Sequence, residues 1–304
     1  DLHLSIRRQR QMCIRDRPDH MAFVFDKTRD TFRRELYPDY KGTRSATPEP
    51  LKQQFVLLEQ ILEDAGFRVL YSSQYEADDY AGSLVMKFRD RIPMVVMTKD
   101  HDYLQLVDDG HNVRAWMVQS KQEKADELYD KYYAPYGMDK RSVNLPEKTF
   151  EFTAGHVLAE EGVWPHQITD LKGIQGDTSD NIPGVKGVAS AAPILLGEYG
   201  TIEEIYAAIH EAEKDKASLK ELQDFWKSGL GISRSPYKAL TKTGEEDELC
   251  GEAAALLSKQ LATIKTDIAI EETLDDFHVS GYDEDKLKAW CRKLDIKEES
   301  VFGK

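Results

Sequence analysis

The chain has 304 residues and a net charge of −14, with 40% hydrophobic and 32% charged residues. This composition is typical of a soluble globular protein, and no apolar run approaches the roughly 20 residues that a membrane helix needs. The arginine-rich start lacks the apolar core of a signal peptide. Three widely separated cysteines, Cys13, Cys250 and Cys291, argue against a disulfide framework or a zinc site and predict a reducing, cytoplasmic location.

The negative net charge does not exclude a protein that binds nucleic acid, because the distribution of charge matters more than its sum. Acidic residues concentrate in the segments 203–224, 245–252 and 271–285. One segment near the N-terminus is instead basic, and it contains Lys27, Arg29, Arg33, Arg34, Lys41 and Arg44.

The predicted elements begin after an atypical leader, residues 1–19, which is read as a basic leader, as non-native sequence or as a DNA-binding arm. Apolar periodicity predicts helices over 51–65 and 78–88. Short apolar runs predict the strands that alternate with them, at 21–25, 67–71 and 93–97. Strands that alternate with helices indicate an α/β fold with a parallel sheet.

The second half of the chain follows another pattern. Residues 118–150 are charged and tyrosine-rich, and are predicted to be an insertion with some helix around 120–133 and no obvious strand. From Gly173 the sequence is helical and punctuated by glycines. We therefore expect a nuclease-like α/β domain over 20–172, a helical DNA-binding region over 173–275, and a C-terminal tail over 276–304.

Acidic residues follow each predicted strand. Because the carboxyl ends of parallel strands meet at one edge of a sheet, these side chains are predicted to lie together. So many carboxylates cannot all ionise without a cation, and Mg²⁺ or Mn²⁺ suits oxygen ligands. A single aspartate after a strand is more often a helix cap. The set is Asp26, Glu76, Asp78, Asp79, Asp100 and Asp102, with Asp177 and Asp180 added from the segment Gly176–Gly184.

These residues stand in motifs that resemble the 5′ nuclease family, most closely the 5′→3′ exonuclease domain of bacterial DNA polymerase I. The resemblance covers roughly 20–115 and 150–275. Its motifs are Phe25-Asp26, Phe32-Arg33, Tyr37–Arg44, Glu76–Asp79, Thr98–Asp102 with Leu104-Gln105-Leu106, Gly176–Gly184 and Gln260–Asp267.

The resemblance implies a PIN-like α/β domain followed by a helix-three-turn-helix region, related to helix-hairpin-helix motifs. It implies that the eight acidic residues bind two divalent ions, and that Lys41 and Arg44 act on the scissile phosphate. DNA contacts are expected from Arg33, Lys41, Arg44, Gly184, Lys186 and Gly187, with a monovalent cation at the hairpin.

Two features depart from the family pattern. Gly187-Val188-Ala189-Ser190-Ala191 stands where the family usually has Gly-x-Lys-Thr-Ala, which predicts a weaker DNA contact. The family's first strand, ending in Ile-Asp-Gly, is not found before Met21, so we expect an N-terminally truncated chain with impaired activity.

Three functions therefore stay open: a structure-selective 5′ nuclease, a DNA-binding remnant that does not cleave, and an unrelated Mg²⁺-dependent phosphatase. The first implies hydrolysis of 5′ flaps and 5′ ends in primer removal and repair. Its expected partners are branched duplex DNA and, optionally, a DNA polymerase. The chain is expected to be a monomer that does not bind membranes.

Overall fold

The computed structural model describes residues 18–28, 30–138, 145–244, 248–279 and 281–302. The predicted leader lies outside the described residues except for its last two positions, Pro18 and Asp19. The chain forms two compact units, and neither is continuous in sequence. Unit 1 comprises 1–31, 45–84 and 266–304, and unit 2 comprises 32–44 and 85–265.

Within the described residues, the strands form a two-stranded and a three-stranded sheet. In unit 1, β1 (Ala22–Asp26) pairs in parallel with β2 (Arg68–Ser72), which places Asp26 opposite Ser72. In unit 2, β3 (Met94–Thr98) runs parallel to β4 (Val113–Val118), and β4 pairs antiparallel with β5 (Thr149–Phe152). The three predicted strands are present, each shifted by one residue, and parallel pairing is confirmed.

Two expectations about the sheet are wrong. The strand ends at Asp26 and Asp100 do not share one sheet edge, because β1 and β3 belong to different sheets of the described structure. The segment 118–150, predicted to lack a strand, contains the end of β4 and the start of β5. Strand β4 was not predicted because Arg114 interrupts its apolar run, although burial alternates along it as in a half-buried strand.

The helices account for most of the remaining chain. In unit 1 they are α2 (Glu49–Asp64), the first part of α3 (Ala77–Phe88), α12 (Glu284–Lys293) and α13 (Glu298–Phe302). Unit 2 contains α1 (Phe32–Leu36), α4 (Gln122–Tyr132), α5 (Ala154–Glu161), α6 (Ile168–Gln175), α7 (Ala192–Tyr199), α8 (Ile202–Ala212), α9 (Lys216–Asp224), α10 (Tyr237–Leu240) and α11 (Gly251–Ala262). Short 3-10 helices span His101–Leu106, Ala134–Tyr136, Pro165–Gln167 and Leu274–Phe277, and a π-helix spans Phe225–Gly229. Helix α4 confirms the helix predicted around 120–133.

The main hydrophobic core lies in unit 2 and joins β4 and β5 to the helices that follow them. At its centre α6 packs closely against α11. The crossing requires a glycine, because a Cβ on Gly173 would lie 2.5 Å from Ile202 Cδ1 and 3.0 Å from the carbonyl oxygen of Ala255. The glycine-punctuated segment therefore begins as a tight helix–helix contact.

Unit 1 is held together by contacts between distant parts of the sequence. Met21 N donates to Phe277 O at 2.9 Å, and Val279 N donates to Asp19 O at 2.7 Å. Helix α2 shows the predicted apolar stripe, but Leu51, Phe55 and Leu58 are exposed. Within the described ranges, none of the helices combines the length and apolar character needed to cross a bilayer.

Candidate functional site

The first set of predicted ligands lies in unit 1 around the start of α3. Asp26 Oδ1 accepts a hydrogen bond from Ala77 N at 2.7 Å, and Asp79 Oδ2 accepts from Glu76 N at 3.2 Å. Glu76 Oε1 accepts from the Thr31 hydroxyl at 3.1 Å, and Asp78 Oδ1 accepts from Asp79 N at 2.7 Å. Carboxylates at a helix N-terminus bind unpaired N–H groups and offset the helix dipole, so this set has a structural role.

The second set centres on the loop from Asp177 to Ile182 in unit 2. The two end residues exchange main-chain hydrogen bonds of 2.9 and 2.8 Å, which close the loop. Within it, Asp177 Oδ1 accepts from the N–H of Ser179 at 2.8 Å and from its hydroxyl at 2.6 Å. Asn181 takes a left-handed backbone with φ of 57°. The loop thereby points Asp177 and Asp180 in defined directions.

Lys172, in the last turn of α6, connects two of the predicted ligands. Its ammonium group lies 2.7 Å from Asp177 Oδ2 and also contacts Asp102 Oδ1. Burial raises the pKa of Asp177, but hydrogen bonds from Lys172 and Ser179 prevail and lower it to about 2. In this structure, an ammonium charge therefore offsets the repulsion between Asp102 and Asp177.

The basic segment Tyr37–Arg44 is a series of turns that packs on the Asp177–Ile182 loop. Lys41 N donates to Asp180 O at 2.8 Å, and Asn181 Nδ2 donates to Asp39 O at 2.7 Å. The side chains of this segment also contact the loop, at Asp180. Lys41 Nζ lies 3.5 Å from Asp180 Oδ2, Arg44 also pairs with Asp180, and the Tyr40 hydroxyl lies 3.2 Å from it. Asp180 is 4% exposed, so its charge is compensated inside unit 2.

A cleft of about 380 Å³ opens beside these groups, and it is lined by Lys99, Asp100, His101, Lys172, Asp177 and Ser179. Burial in this cleft raises the pKa of Asp100. The charges of Asp180 and Asp177 add to the rise, while Lys172 and Lys41 oppose it. The cleft therefore combines carboxylates that repel one another with cations that partly neutralise them, an arrangement common at functional sites.

The glycine hairpin follows the acidic loop, and its glycines have different roles. Gly184 is buried and its N–H donates to Ser258 Oγ at 2.9 Å. A Cβ at this position would lie 2.3 Å from Gly176 N. The amide of Gly184 is therefore already bound within unit 2, and the DNA contact at this position stays a prediction. Lys186 and Gly187 are exposed at the tip of the hairpin.

Arg33, for which a DNA contact is predicted, has a side chain that is only 1% exposed. Its guanidinium donates to Leu261 O and Thr263 O, each at 2.8 Å. Charge alone suggested a surface role for this residue. The helix end that it binds lies more than 200 residues away in the sequence, which no local pattern reveals.

The structure thus brings Asp100, Asp102, Asp177 and Asp180 into one region of unit 2 with Lys41 and Arg44. Among the residues that the structure describes, no three histidine, cysteine or acidic side chains converge closely enough to hold a metal ion. Sequence reasoning missed Lys172 and Tyr40. The position of Lys172 could have indicated its role. It lies in the last turn of α6, five residues before Asp177, and a lysine at a helix C-terminus can reach an acidic residue that follows the helix.

Two family models match this chain. The model of the 5′–3′ exonuclease N-terminal, resolvase-like domain matches residues 4–133, and that of the 5′–3′ exonuclease C-terminal SAM fold matches residues 163–230. The chain belongs to the 5′–3′ exonuclease family. The predicted combination of an α/β domain with a helical second region is thereby confirmed, and the phosphatase reading is set aside.

Its curated relatives are longer proteins. DNA polymerase I of Caldicellulosiruptor bescii is 31% identical over 93% of this chain and 27% of the polymerase, and that of Bacillus caldotenax is 30% identical over 92% and 26%. The chain therefore spans about a quarter of the length of these relatives. The structure of T5 D15 protein co-crystallised with metal ions has a TM-score of 0.50 at 19% identity, covers 98% of this chain and 91% of its own, and shows a shared fold.

Proposed function

We propose that this chain is a structure-selective 5′ nuclease that hydrolyses phosphodiester bonds of DNA at 5′ flaps and 5′ ends. One observation carries the proposal beyond family membership: the basic segment with Lys41 and Arg44 packs on the acidic loop at Asp180. A phosphodiester hydrolase needs cations for the substrate beside carboxylates for a metal, and the contacts of Lys41 and Arg44 with Asp180 support this proposal.

The proposed metals are two divalent ions, Mg²⁺ or Mn²⁺. In unit 2, Asp100, Asp102, Asp177 and Asp180 would hold metal, and Asp26, Glu76, Asp78 and Asp79 of unit 1 are the other proposed ligands. The donors fit by their chemistry, since hard divalent cations prefer carboxylate oxygens. When bound, such ions activate water and stabilise the leaving oxygen of a phosphodiester.

The residues of the chain have separate tasks in this proposal. Lys41 and Arg44 would contact the phosphate at the reacting bond, and Asp180 holds both of them in place before DNA binds. Lys172 holds Asp102 and Asp177 together in the absence of metal. Preorganised cations of this kind stabilise the charge that develops in the transition state.

Duplex binding is proposed for the exposed tip of the hairpin, where Lys186 would contact a phosphate and Gly187 leaves space for it. Replacement of the family's lysine and threonine by Ala189 and Ser190 predicts a weak contact. A monovalent cation at this hairpin, a DNA polymerase partner, a monomeric state, a cytoplasmic location and a role in primer removal and repair remain predictions.

A second function is a remnant that binds branched DNA without cleaving it. It is favoured by the lack of a three-ligand cluster among the residues that the structure describes. The two proposals differ only in chemistry, so one set of measurements decides between them.

The deciding measurement is single-turnover cleavage of a labelled 5′ flap in Mg²⁺, with flap binding measured in parallel in Ca²⁺. We expect Lys41→Ala to lower the cleavage rate by about two to three decades with little change in affinity, because it removes a transition-state contact. Lys52→Ala is the matched control. Lys52 is exposed, and its ammonium group lies 3.1 Å from Glu49 Oε2 on the same helix, α2.

Binding of the flap without any cleavage by the parent chain would support the remnant. A rate within about twofold of the parent for Lys41→Ala, which is well under 1 kcal/mol, would remove Lys41 from the chemistry. A chain that neither binds nor cleaves the flap would exclude both proposals.

A further inference from the structure

Two motifs that carry the family resemblance have no role in the site described so far. They are Leu104-Gln105-Leu106, after the acidic pair Asp100 and Asp102, and Gln260–Asp267, at the end of α11. More than 150 residues separate them, and in unit 2 they contact each other directly.

Gln105 makes the connection with three hydrogen bonds. Its Nε2 donates to Asp102 O at 2.8 Å and to Ala262 O at 3.1 Å. Its Oε1 accepts from Ile264 N at 2.9 Å. This set fixes the orientation of the amide, because the reverse orientation would point two carbonyl oxygens at the side-chain oxygen. The main chain of Asp102 is thereby tied to the end of α11.

Arg33 binds the same stretch of main chain, residues 261–264, at the two positions that Gln105 does not bind. It donates to Leu261 O and Thr263 O, while Gln105 binds Ala262 O and Ile264 N. The last carbonyls of a helix have no partner within the helix, so a buried helix end needs such donors. Two side chains from separate parts of the sequence supply them here.

The same helix end contacts the other parts of the site. Leu261 and Ala262 pack with Tyr40 and Ile182 in one buried cluster. Tyr40 precedes Lys41, and Ile182 closes the loop that carries Asp177 and Asp180. The C-terminal turn of α11 is therefore the common support of the basic segment, the acidic loop and Asp102.

We propose that Gln105 is a positioning residue for the reaction, which sets Asp102 relative to Asp177 and Asp180 by anchoring it to the end of α11. The inference rests on the proposed function. Asp102 lies in a 3-10 helix, His101–Leu106, whose hydrogen-bond geometry is weaker than that of an α-helix. Its placement consequently depends on an external anchor, and partners of this kind orient the groups that bind a metal.

The chain offers a matched control in Gln167. Its Nε2 donates to Leu196 O and Gly200 O, each at 2.9 Å, and its Oε1 accepts from Trp164 N at 3.0 Å. It thus makes the same three types of bond as Gln105, also within unit 2, but none of its partners is a proposed ligand. A purely structural role would give both glutamines the same phenotype.

The test compares Gln105→Met and Gln167→Met in the full chain. Melting temperature, Mn²⁺ affinity and the single-turnover rate of flap cleavage are measured well below both melting points. We expect similar losses of melting temperature, but a loss of about tenfold in Mn²⁺ affinity and in rate only for Gln105→Met. Gln105→Glu is the second variant, since it keeps the acceptor for Ile264 N and replaces the donor to Asp102 O.

Equal changes in Mn²⁺ affinity and rate for the two methionine variants would overturn the inference. It would also fail if both Gln105 variants matched the parent. A parent chain that binds Mn²⁺ and does not cleave would refute the proposed function, while the Mn²⁺ affinities of the variants still decide the role of Gln105. A parent that binds no Mn²⁺ would refute both.

Discussion

The two sets of predicted ligands are held by different kinds of partner. In unit 1, the contacts of Asp26, Asp78 and Asp79 include main-chain N–H groups at the start of α3. In unit 2, Asp102, Asp177 and Asp180 pair with ammonium or guanidinium groups. A carboxylate that accepts hydrogen bonds from neutral N–H groups stabilises the fold without needing a cation. A carboxylate that is paired with a lysine or arginine can instead release that partner and bind a metal cation. The second set is thus the better candidate for reversible cation binding.

The largest effect is expected at Gly184. This glycine follows the loop that carries Asp177 and Asp180, the acidic loop of the second set, and it fixes the backbone there. Gly184→Val places a Cβ 2.3 Å from Gly176 N at a φ of 58°. We expect a loss of at least about 3 kcal/mol in the free energy of unfolding, measured by chemical denaturation. Gly187→Ala is the control, since its φ is 86° but nothing lies within 4 Å, so only backbone strain of about 1–2 kcal/mol applies.

Near-equal losses at the two glycines would show that the packing at Gly184 does not support the loop. Because Gly184 is buried, a loss of DNA binding by Gly184→Val would report on folding. Variants of Lys186 test the DNA contact itself.

The pH dependence of stability can be used to compare the two sets of carboxylates once the contribution of one buried histidine, His156, has been subtracted. His156 is 1% exposed and lies among Tyr132, Tyr133 and Phe150. Burial lowers its pKa from 6.5 to about 4. The unfolded chain takes up a proton near pH 6.5 and the folded chain only near pH 4, so this stabilisation is complete above pH 6.5 and is lost as pH falls towards 4.

We expect the histidine to account for a loss on the order of 3 kcal/mol over that window, since one pKa unit corresponds to about 1.4 kcal/mol. His156→Gln removes the titration. Denaturation of both proteins at pH 7.5 and 4.5 measures the difference. An unchanged pH dependence in the variant would assign the whole effect to other groups.

Asp180 and Asp79 test the two sets directly with the same substitution. Asp180→Asn removes the charge that compensates Lys41 and Arg44, and we expect a loss of about 2 kcal/mol, less than for a fully buried pair because Arg44 is partly exposed. Asp79→Asn keeps an acceptor for Glu76 N, so its loss should be smaller. Equal losses in thermal denaturation would remove the distinction between the sets.

The smallest expected effect is the most specific. Lys172→Met leaves Asp102 and Asp177 without their shared ammonium, and should cost about 1 kcal/mol at low salt. Added Mg²⁺ should then raise the melting temperature of the variant more than that of the parent, because a ligand of the folded state stabilises it. Lys259→Met is the control, since Lys259 lies 2.7 Å from both Asp170 and Glu203, outside the proposed site.

If Mg²⁺ raises the melting temperatures of the Lys172 and Lys259 variants equally, the idea that a metal ion replaces the ammonium group of Lys172 is refuted. A response of the Lys172 variant alone would place a divalent ion at Asp102 and Asp177.

Much of the fold was predictable because it depends on local patterns. Apolar runs located β1, β2 and β3, and the motif around Gly176 located the acidic loop. Helix α2 was predicted from a stripe that the structure leaves exposed, so periodicity identified the helix but not its burial. Strand β4 was missed because Arg114 interrupts its apolar run, although buried and half-buried side chains alternate along it.

The misses at the site have one physical cause. Arg33, Gln105 and Gly184 are fixed by hydrogen bonds to residues 261–264 and Ser258, far away in sequence. Charge and residue type say nothing about such partners. The sequence therefore did not reveal that Arg33 and Gly184, both predicted DNA contacts, bind within unit 2, and the anchor of Asp102 was not suspected.

The interleaving of the two units determines when each can form during synthesis. Every segment of unit 2 has been made once residue 265 leaves the ribosome, so its core can close at that point. Unit 1 includes residues 266–304, and its first strand is preceded by residues that bond to Phe277 and Val279. Residues 19–21 therefore find these hydrogen-bond partners only after residues 277–279 have been made, and unit 1 must close later than unit 2.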